Sequence, residues 1–378
     1  MAFLLTALKD KYVAMRGFHT KRRLVLIESD DWGSIRMPSK QVLEQLQAAG
    51  DHPEHDAFLR NDCLESEKDL INLFEVLSSV KDSKGRPAIM TANFATANPD
   101  FDRIDYQNGH YAYEPFYETY QRYYPESSQL TLIADAIGKG TFCPQLHCRE
   151  HVNVNRWMRD LQRGKADTLL AFEHRMIGVG ASFSSDNTFG YMDAFHTDCE
   201  TDPQHLADVL HEAAEIFEKA FGYRSQTFVA SCFVWHPSLE RHLLKEGVKG
   251  VQSAKWQNLP SGRCGEYSLH RKLRFTGQRN RQGQIYTVRN CDYEPAYYQN
   301  PTECAARCLE MVKKSFREGK PAIINSHRFN YISTINPLNA ENNLKGLQWL
   351  LSQIADAFPD VEFISTPELI DICSQEKK

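Results

Sequence analysis

Short aliphatic and β-branched runs alternate with longer amphipathic stretches along almost the whole chain, and this alternation is what most narrows the folds open to it. Arg23–Ser29 reads as a buried strand, followed by helical periodicity over Lys40–Ala49 and Glu67–Val80. Further strands are expected at Ala88–Phe94, Phe142–His147, Thr227–Trp235, Gly250–Ser253, Pro321–Ser326 and Val361–Ser365. Between them, helical patterns occupy Val154–Gln162, Ala166–His174, Gln204–Ala220, Leu239–Glu246, Glu303–Arg317 and Ala340–Ala357. Strands separated by helices cannot close as tight hairpins; they return parallel, with the helices covering the sheet. Seven or so strands predict an α/β fold, a distorted (β/α)7-type barrel with insertions, in preference to a three-layer sandwich. No repeat or low-complexity linker interrupts the pattern. Residues 1–378 therefore read as a single barrel domain, with irregular insertions at about 95–140 and 255–300.

Composition removes several function classes. Lys and Arg number 44 against 49 Asp and Glu, a net charge of −5, so a dedicated nucleic-acid binder is not expected. No apolar stretch approaches the roughly 18 residues of a membrane span, so no membrane partner is expected. The run Met1–Leu8 lacks a basic region before it and a small-residue cleavage site after it. It reads as a short amphipathic helix ending near Gly17, not as a signal peptide. The 10 cysteines show no C-x-x-C pair and no framework spacing, and Cys304 and Cys308 read as helix packing. Reduced thiols and a cytoplasmic location are the expectation.

In parallel α/β folds the chemistry sits at the C-terminal ends of the strands. The first strand ends in Asp30-Asp31, the only Asp-Asp pair of the chain, where one carboxylate can bind a metal while the other faces substrate. The bland reading is a turn with a helix cap. The Phe142 strand runs into His147-Cys148-Arg149-Glu150-His151, and two histidines four apart can share one metal. Fourteen histidines give about 0.5 such pairs by chance, so the placement at a strand end carries the weight. Two histidines and a distant aspartate leave open positions for water, which is a catalytic arrangement. The late strand ends at His327, alone more often a hydrogen-bonded structural residue, but beside a metal a candidate acid to complement Asp30 as base.

Together these elements resemble the polysaccharide deacetylase family (carbohydrate esterase family four). Its motif Thr-Phe-Asp-Asp-Gly is similar to Glu28-Ser29-Asp30-Asp31-Trp32-Gly33, with Trp32 inserted before the glycine. Its His-Ser/Thr-x-x-His is similar to His147–His151, with Cys148 in place of the hydroxyl residue. Its Leu-x-Leu-His is similar to Ile324-Asn325-Ser326-His327. The resemblance implies Asp30 as catalytic base, Asp31, His147 and His151 as ligands of a divalent metal, zinc first, and His327 as catalytic acid on the opposite side of the scissile group. Departures mark a divergent member. Val229 fills the position of the family arginine that holds the base, leaving Arg36, Arg149 or Arg328 as replacements, and Val152 stands where a proline follows the second histidine.

The expected activity is metal-dependent removal of an acetyl or other acyl group from an amino sugar or sugar hydroxyl. The alternatives are hydrolysis of a non-sugar, cyclic amide on the same barrel, and a catalytically inactive glycan-binding barrel. The partner is then an acylated saccharide or a small-molecule amide. Trp32, Arg149, Trp235, Arg328 and Asn330, near the same strand ends, are the expected substrate contacts. Seven tyrosines between Tyr106 and Tyr124 either pack an insertion or stack on sugar rings at the barrel mouth. The cationic run from Arg263 through Arg271, Lys272, Arg274, Arg279 and Arg281 to Arg289 reads as a solvated hairpin face or as a clamp for an anion.

Overall fold

Ten residues, Arg23–Trp32, form β1, and all but the first are buried. A strand buried on both faces belongs in the middle of a parallel sheet. In the computed structural model, which describes residues 15–179, 189–197, 202–261, 268–298 and 300–375, that is where β1 lies. The remaining strands are β2 (Met90–Ala95), β3 (Ala97–Pro99), β4 (Tyr113–Pro115), β5 (Phe142–Cys148), β6 (Thr227–Val229), β7 (Gly250–Ser253), β8 (Trp256–Pro260), β9 (Leu269–Leu273), β10 (Ile285–Val288), β11 (Cys291–Asp292), β12 (Ala322–His327) and β13 (Val361–Phe363). The main sheet runs β10-β7-β6-β5-β2-β1-β12-β11, with β13 added beside β1, and its pairings are parallel. Seven strands make the body of the distorted barrel; β11 and β13 are short additions.

The two ends of that sheet, β10 and β11, are separated in sequence only by Arg289 and Asn290. Chain continuity therefore brings the edges together and curls the sheet into a half-barrel. Residues 285–288, expected within an inserted hairpin, are instead the edge strand β10, paired in parallel with β7. The β3–β4 and β8–β9 hairpins stand apart from the main sheet.

Period-two alternation sorts the barrel residues. Val25 and Ile27 face outward into a core shared with Leu70, Leu73 and Leu77 of the helix Glu67–Ser79 and Leu347, Leu350 and Leu351 of the helix Pro337–Ala357. The first of these helices starts at a capping box, Ser66 with Asp69, which satisfies its first free N–H groups. Leu24 and Leu26 face the other way, against Ile285, Ile323, Leu369 and Ile370, so the helix Thr366–Gln375 plugs the N-terminal end of the barrel with apolar side chains. The same face becomes polar toward the C-terminal ends: Glu28, Thr91, Asn93, Gln252, Thr287 and Asn325 are joined there by hydrogen bonds, several through Arg289. No helix among the described residues is long and apolar enough to cross a membrane. The expected N-terminal helix falls largely on residues 1–14, outside the described residues.

Candidate metal centre

Adjacent residues on a strand face opposite ways, yet Asp30 and Asp31 both border one cavity. Asp30 follows the inward alternation of Leu24, Leu26 and Glu28. Asp31 has φ +74, the left-handed region that a non-glycine residue enters only at a cost. The β1–β2 register slips between Ser29 and Trp32, so the strand is bulged here and the second carboxylate is turned back to the site.

Asp31 Oδ1 lies 3.3 Å from Nε2 of His147 and 3.3 Å from Nε2 of His151. All three side chains are buried, and their ligand atoms lie within 4.8 Å of one another. His147 reaches inward from the end of β5, and its Nδ1 is 2.8 Å from the carbonyl of Val229, so Nδ1 donates and Nε2 keeps its lone pair for the site. His151 follows from the loop after the strand. Burial, with Arg36 and His147 adding, pushes His151 down to about 3, which leaves a neutral imidazole, the metal-binding form. Asp31 Oδ1 and His147 Nε2 have no hydrogen-bond partner among the described residues. Orphaned buried acceptors converging on a point are costly unless a cation joins them. Ligands about 2.0–2.1 Å from a shared tetrahedral zinc are roughly 3.3–3.4 Å apart, the separation of Asp31 Oδ1 from each histidine. A divalent metal therefore fits these three residues. A second group, His52, Glu54 and His55, has both histidines exposed.

The other oxygen of Asp31 accepts a hydrogen bond from Arg36 Nη2 at 2.9 Å. Burial would raise the Asp31 pKa, but Arg36 and His151 hold it well below the usual carboxylate range.

Asp30 is clasped by an arginine of the cationic run, where a solvated hairpin face or an anion clamp is expected from sequence. Arg289 donates from Nη1 to Oδ2 and from Nη2 to Oδ1, both at 2.7 Å, and from Nε to Glu28 at 2.9 Å. Asn93 adds a bond to Oδ1 at 2.7 Å. Burial works against ionisation of Asp30, but Arg289 outweighs it, with His147 and His327 helping, and the pKa drops to about 2. None of the three arginines proposed as replacements for the family arginine holds Asp30. Arg36 serves Asp31, Arg149 pairs with Glu150 and Glu212, and Arg328 pairs with Asp62 and Glu65. Arg289 enters from β10 because the curled sheet brings the end of that strand beside β1.

His327 is the register partner of Asp30 on the adjacent parallel strand. The two therefore stand side by side on one face, with Nε2 3.9 Å from Asp30 Oδ2. The other ring nitrogen meets Glu294 Oε1 at 2.5 Å. Glu294 is fixed by Asn330 at 2.7 Å and Asn325 at 3.1 Å. Burial alone would lower the pKa of His327; Glu294, with Asp31 and Asp30, raises it to about 9. Neither Glu294 nor Arg289 belonged to a motif. An acidic residue just beyond a two-residue strand offers no local signal.

The cavity over these groups has a volume of about 240 Å³. Besides the polar residues, Phe58, Leu59, Phe189, Met192 and Phe233 wall it. Cys232 and Phe233, in the loop after β6, both have φ near +55, so backbone strain is concentrated at its rim. The five expected substrate contacts are not among its lining residues. Trp32 and Trp235 are fully buried, their indole N–H groups bonded to Ser29 and Glu240. Arg149 and Arg328 are tied up in the ion pairs above, and Asn330 braces Glu294. The tyrosine-rich segment does follow the C-terminal end of β2, but its rings pack and bond inward: Tyr111 to Glu150, Tyr120 to Glu65 and Tyr124 to the carbonyl of Leu64.

No family model and no curated protein matches this sequence. Among solved structures it is similar to a probable polysaccharide deacetylase from Pseudomonas aeruginosa PAO1, at 10% identity and a TM-score of 0.48, covering 94% of this chain and 93% of that one. It is similar to PuuE allantoinase at 10% identity and a TM-score of 0.42, covering 94% and 93%. It is also similar to the 4-alpha-glucanotransferase of Thermococcus litoralis, at 11% identity and a TM-score of 0.46. That match covers 93% of this chain, which spans only 40% of the transferase. A putative polysaccharide deacetylase from Mycobacterium smegmatis and a family 4 carbohydrate esterase from Streptomyces lividans are also among the similar structures.

Proposed function

We propose that this chain is a metal-dependent hydrolase that removes an acyl group, acetyl first, from an amino sugar or sugar hydroxyl. One observation carries the reading. The buried cluster of Asp31, His147 and His151, with its orphaned acceptor atoms, adjoins two titratable groups whose pKa values are driven apart, Asp30 to about 2 and His327 to about 9. Such a split assigns base and acid.

A divalent ion, zinc in this reading, held by Asp31, His147 and His151 would polarise the acyl oxygen and make a water more acidic. Asp30 Oδ2 accepts the proton of the attacking water, and Arg289 and Asn93 keep that carboxylate ionised and aimed. His327 Nε2, protonated at neutral pH, delivers a proton to the departing nitrogen or oxygen. Glu294 holds the imidazolium and its orientation. The proton left on Asp30 then returns to His327 across the 3.9 Å gap, downhill from the stronger acid to the stronger base, and the pair is reset.

A second reading, hydrolysis of a small non-sugar amide, is favoured by one observation. The cavity is small, and among the described residues neither a tryptophan nor a tyrosine lines it to stack on a sugar. Metal analysis of the purified chain, followed by turnover of acetylated amino sugars against cyclic amides and ureides, tests both. About one divalent ion per chain and acetate release from the sugars is the expected result. Turnover confined to cyclic amides would replace the first reading with the second. A chain that neither retains nor is activated by any divalent metal would overturn both.

A further inference from the structure

The cationic run that ends at Arg289 divides into two populations in the structure. Arg289 and Arg274 are buried and internally bonded. Lys272, Arg279 and Arg281 are exposed and, with Arg241 from the helix Glu240–Lys245, surround a cavity of about 560 Å³. This cavity shares no lining residue with the one over the metal cluster. Buried Arg274 borders it, bonded to Gln257 at 2.7 Å and stacked 4.1 Å from the ring centre of Tyr286. Among the described residues the single acidic one in the lining, Glu240, is itself buried and engaged by Trp235 and Tyr286.

The charges above it outnumber the one carboxylate that faces them among the described residues, Glu240. Arg241, Lys272 and Arg281 make no ion pair among the described residues, and Arg279 donates only to the carbonyl of Gly283, at 2.8 Å. Lys272 is pushed below the ordinary lysine value chiefly by Arg274, with burial and Arg281 adding. In a chain of net charge −5, five cations around one hollow against a single engaged carboxylate are not the average surface. Gathering like charges is unfavourable until an anion occupies their midst. The neutral donors Gln278, Asn280 and Ser238 complete a lining suited to many oxygens. Arginine forks match phosphate oxygens in pairs, and a hollow of this size suits a small molecule better than an extended chain.

We propose that this cavity is a binding site for a small, multiply charged phosphate compound, separate from the metal centre. It takes its affinity from Lys272, Arg281, Arg241 and Arg279. The proposal does not depend on the hydrolase reading, because its test measures binding alone.

Titration calorimetry of the full chain with inorganic pyrophosphate at low ionic strength tests it, with sulfate and chloride as references. Saturable binding of one pyrophosphate per chain is expected. Lys272→Glu with Arg281→Glu should weaken it by at least about tenfold, since two attractive charges on the anion become repulsive. Lys139→Glu, outside the cavity, should change it by less than about twofold. Both altered side chains are exposed, so an unchanged melting curve will show that the variant is folded; Arg241→Glu provides a second, independent loss. Absence of saturable pyrophosphate binding, or binding indifferent to the double reversal, overturns the proposal. So does binding of a long polyanion such as heparin without any binding of pyrophosphate.

Discussion

Replacing Arg289 by glutamine removes one guanidinium from between two buried carboxylates, Glu28 and Asp30. Breaking a buried ion pair from one side costs about 3–5 kcal/mol, because the remaining charge has neither water nor partner. An unfolding entropy of about 2.1 cal/mol/K per residue, over 378 residues, comes to about 0.8 kcal/mol/K, so the melting temperature should fall by about 4–6 °C. The chemical effect is separate. Arg289 is what outweighs burial at Asp30, so without it the Asp30 pKa rises from about 2 and the acid limb of the pH–rate profile moves to higher pH. A base works only when deprotonated, so the loss of activity is largest in mild acid and shrinks as pH increases. Arg289→Lys keeps the charge but loses the two-pronged grip, and should fall between wild type and Arg289→Gln. Calorimetric melting and pH–rate profiles on an acetyl ester read both effects. Arg149→Gln, whose partners are Glu150 and Glu212, should leave the acid limb where it is. An Arg289→Gln chain with wild-type melting and a wild-type acid limb would refute the reasoning.

The adjacent aspartates are expected to separate: Asp31→Asn loses metal by elemental analysis, because an amide oxygen is a poorer ligand, while Asp30→Asn keeps metal and loses about 10²–10⁴-fold in turnover. Equal metal loss in both would mean that they only cap a turn. Glu294→Gln removes the main support of the His327 charge, so the basic limb should move down from about 9 toward the usual histidine value near 6.5. Since the acid must be protonated to act, activity is lost first on the alkaline side, and a profile still breaking near 9 would exclude that role. His327→Ala should keep metal and suffer least on esters with good leaving groups, compared by relative rates across a leaving-group series. Gly33 has φ +78, and a Cβ there would sit 2.7 Å from the carbonyl of Ala95, so Gly33→Ala should destabilise by at least about 1–3 kcal/mol in denaturant unfolding.

The parts legible in the sequence were those encoded locally. An apolar run of period two followed by an amphipathic stretch specifies strand then helix, and parallel strands place their C-terminal ends together. Asp30, Asp31, His147 and His327 sit at such ends and His151 just beyond one, and the structure brings all five around one cavity. What a strand end cannot disclose is which way a polar side chain is committed. Trp32, Trp235, Arg149, Arg328 and Asn330 occupy similar positions but are held by internal partners, near in sequence for the two tryptophans and distant for Arg149, Arg328 and Asn330; Arg328 reaches Asp62, 266 positions away. Arg289 and Glu294 were invisible for the complementary reason. Their strands, β10 and β11, are four and two residues long, too short for a periodic signal amid a cationic run. Only the curling of the sheet, which sets the end of β10 against β1 across 259 positions of sequence, turns a surface-looking arginine into the buried partner of Asp30. Burial and ion pairing at that range depend on three-dimensional closure, and no local pattern of residues records it.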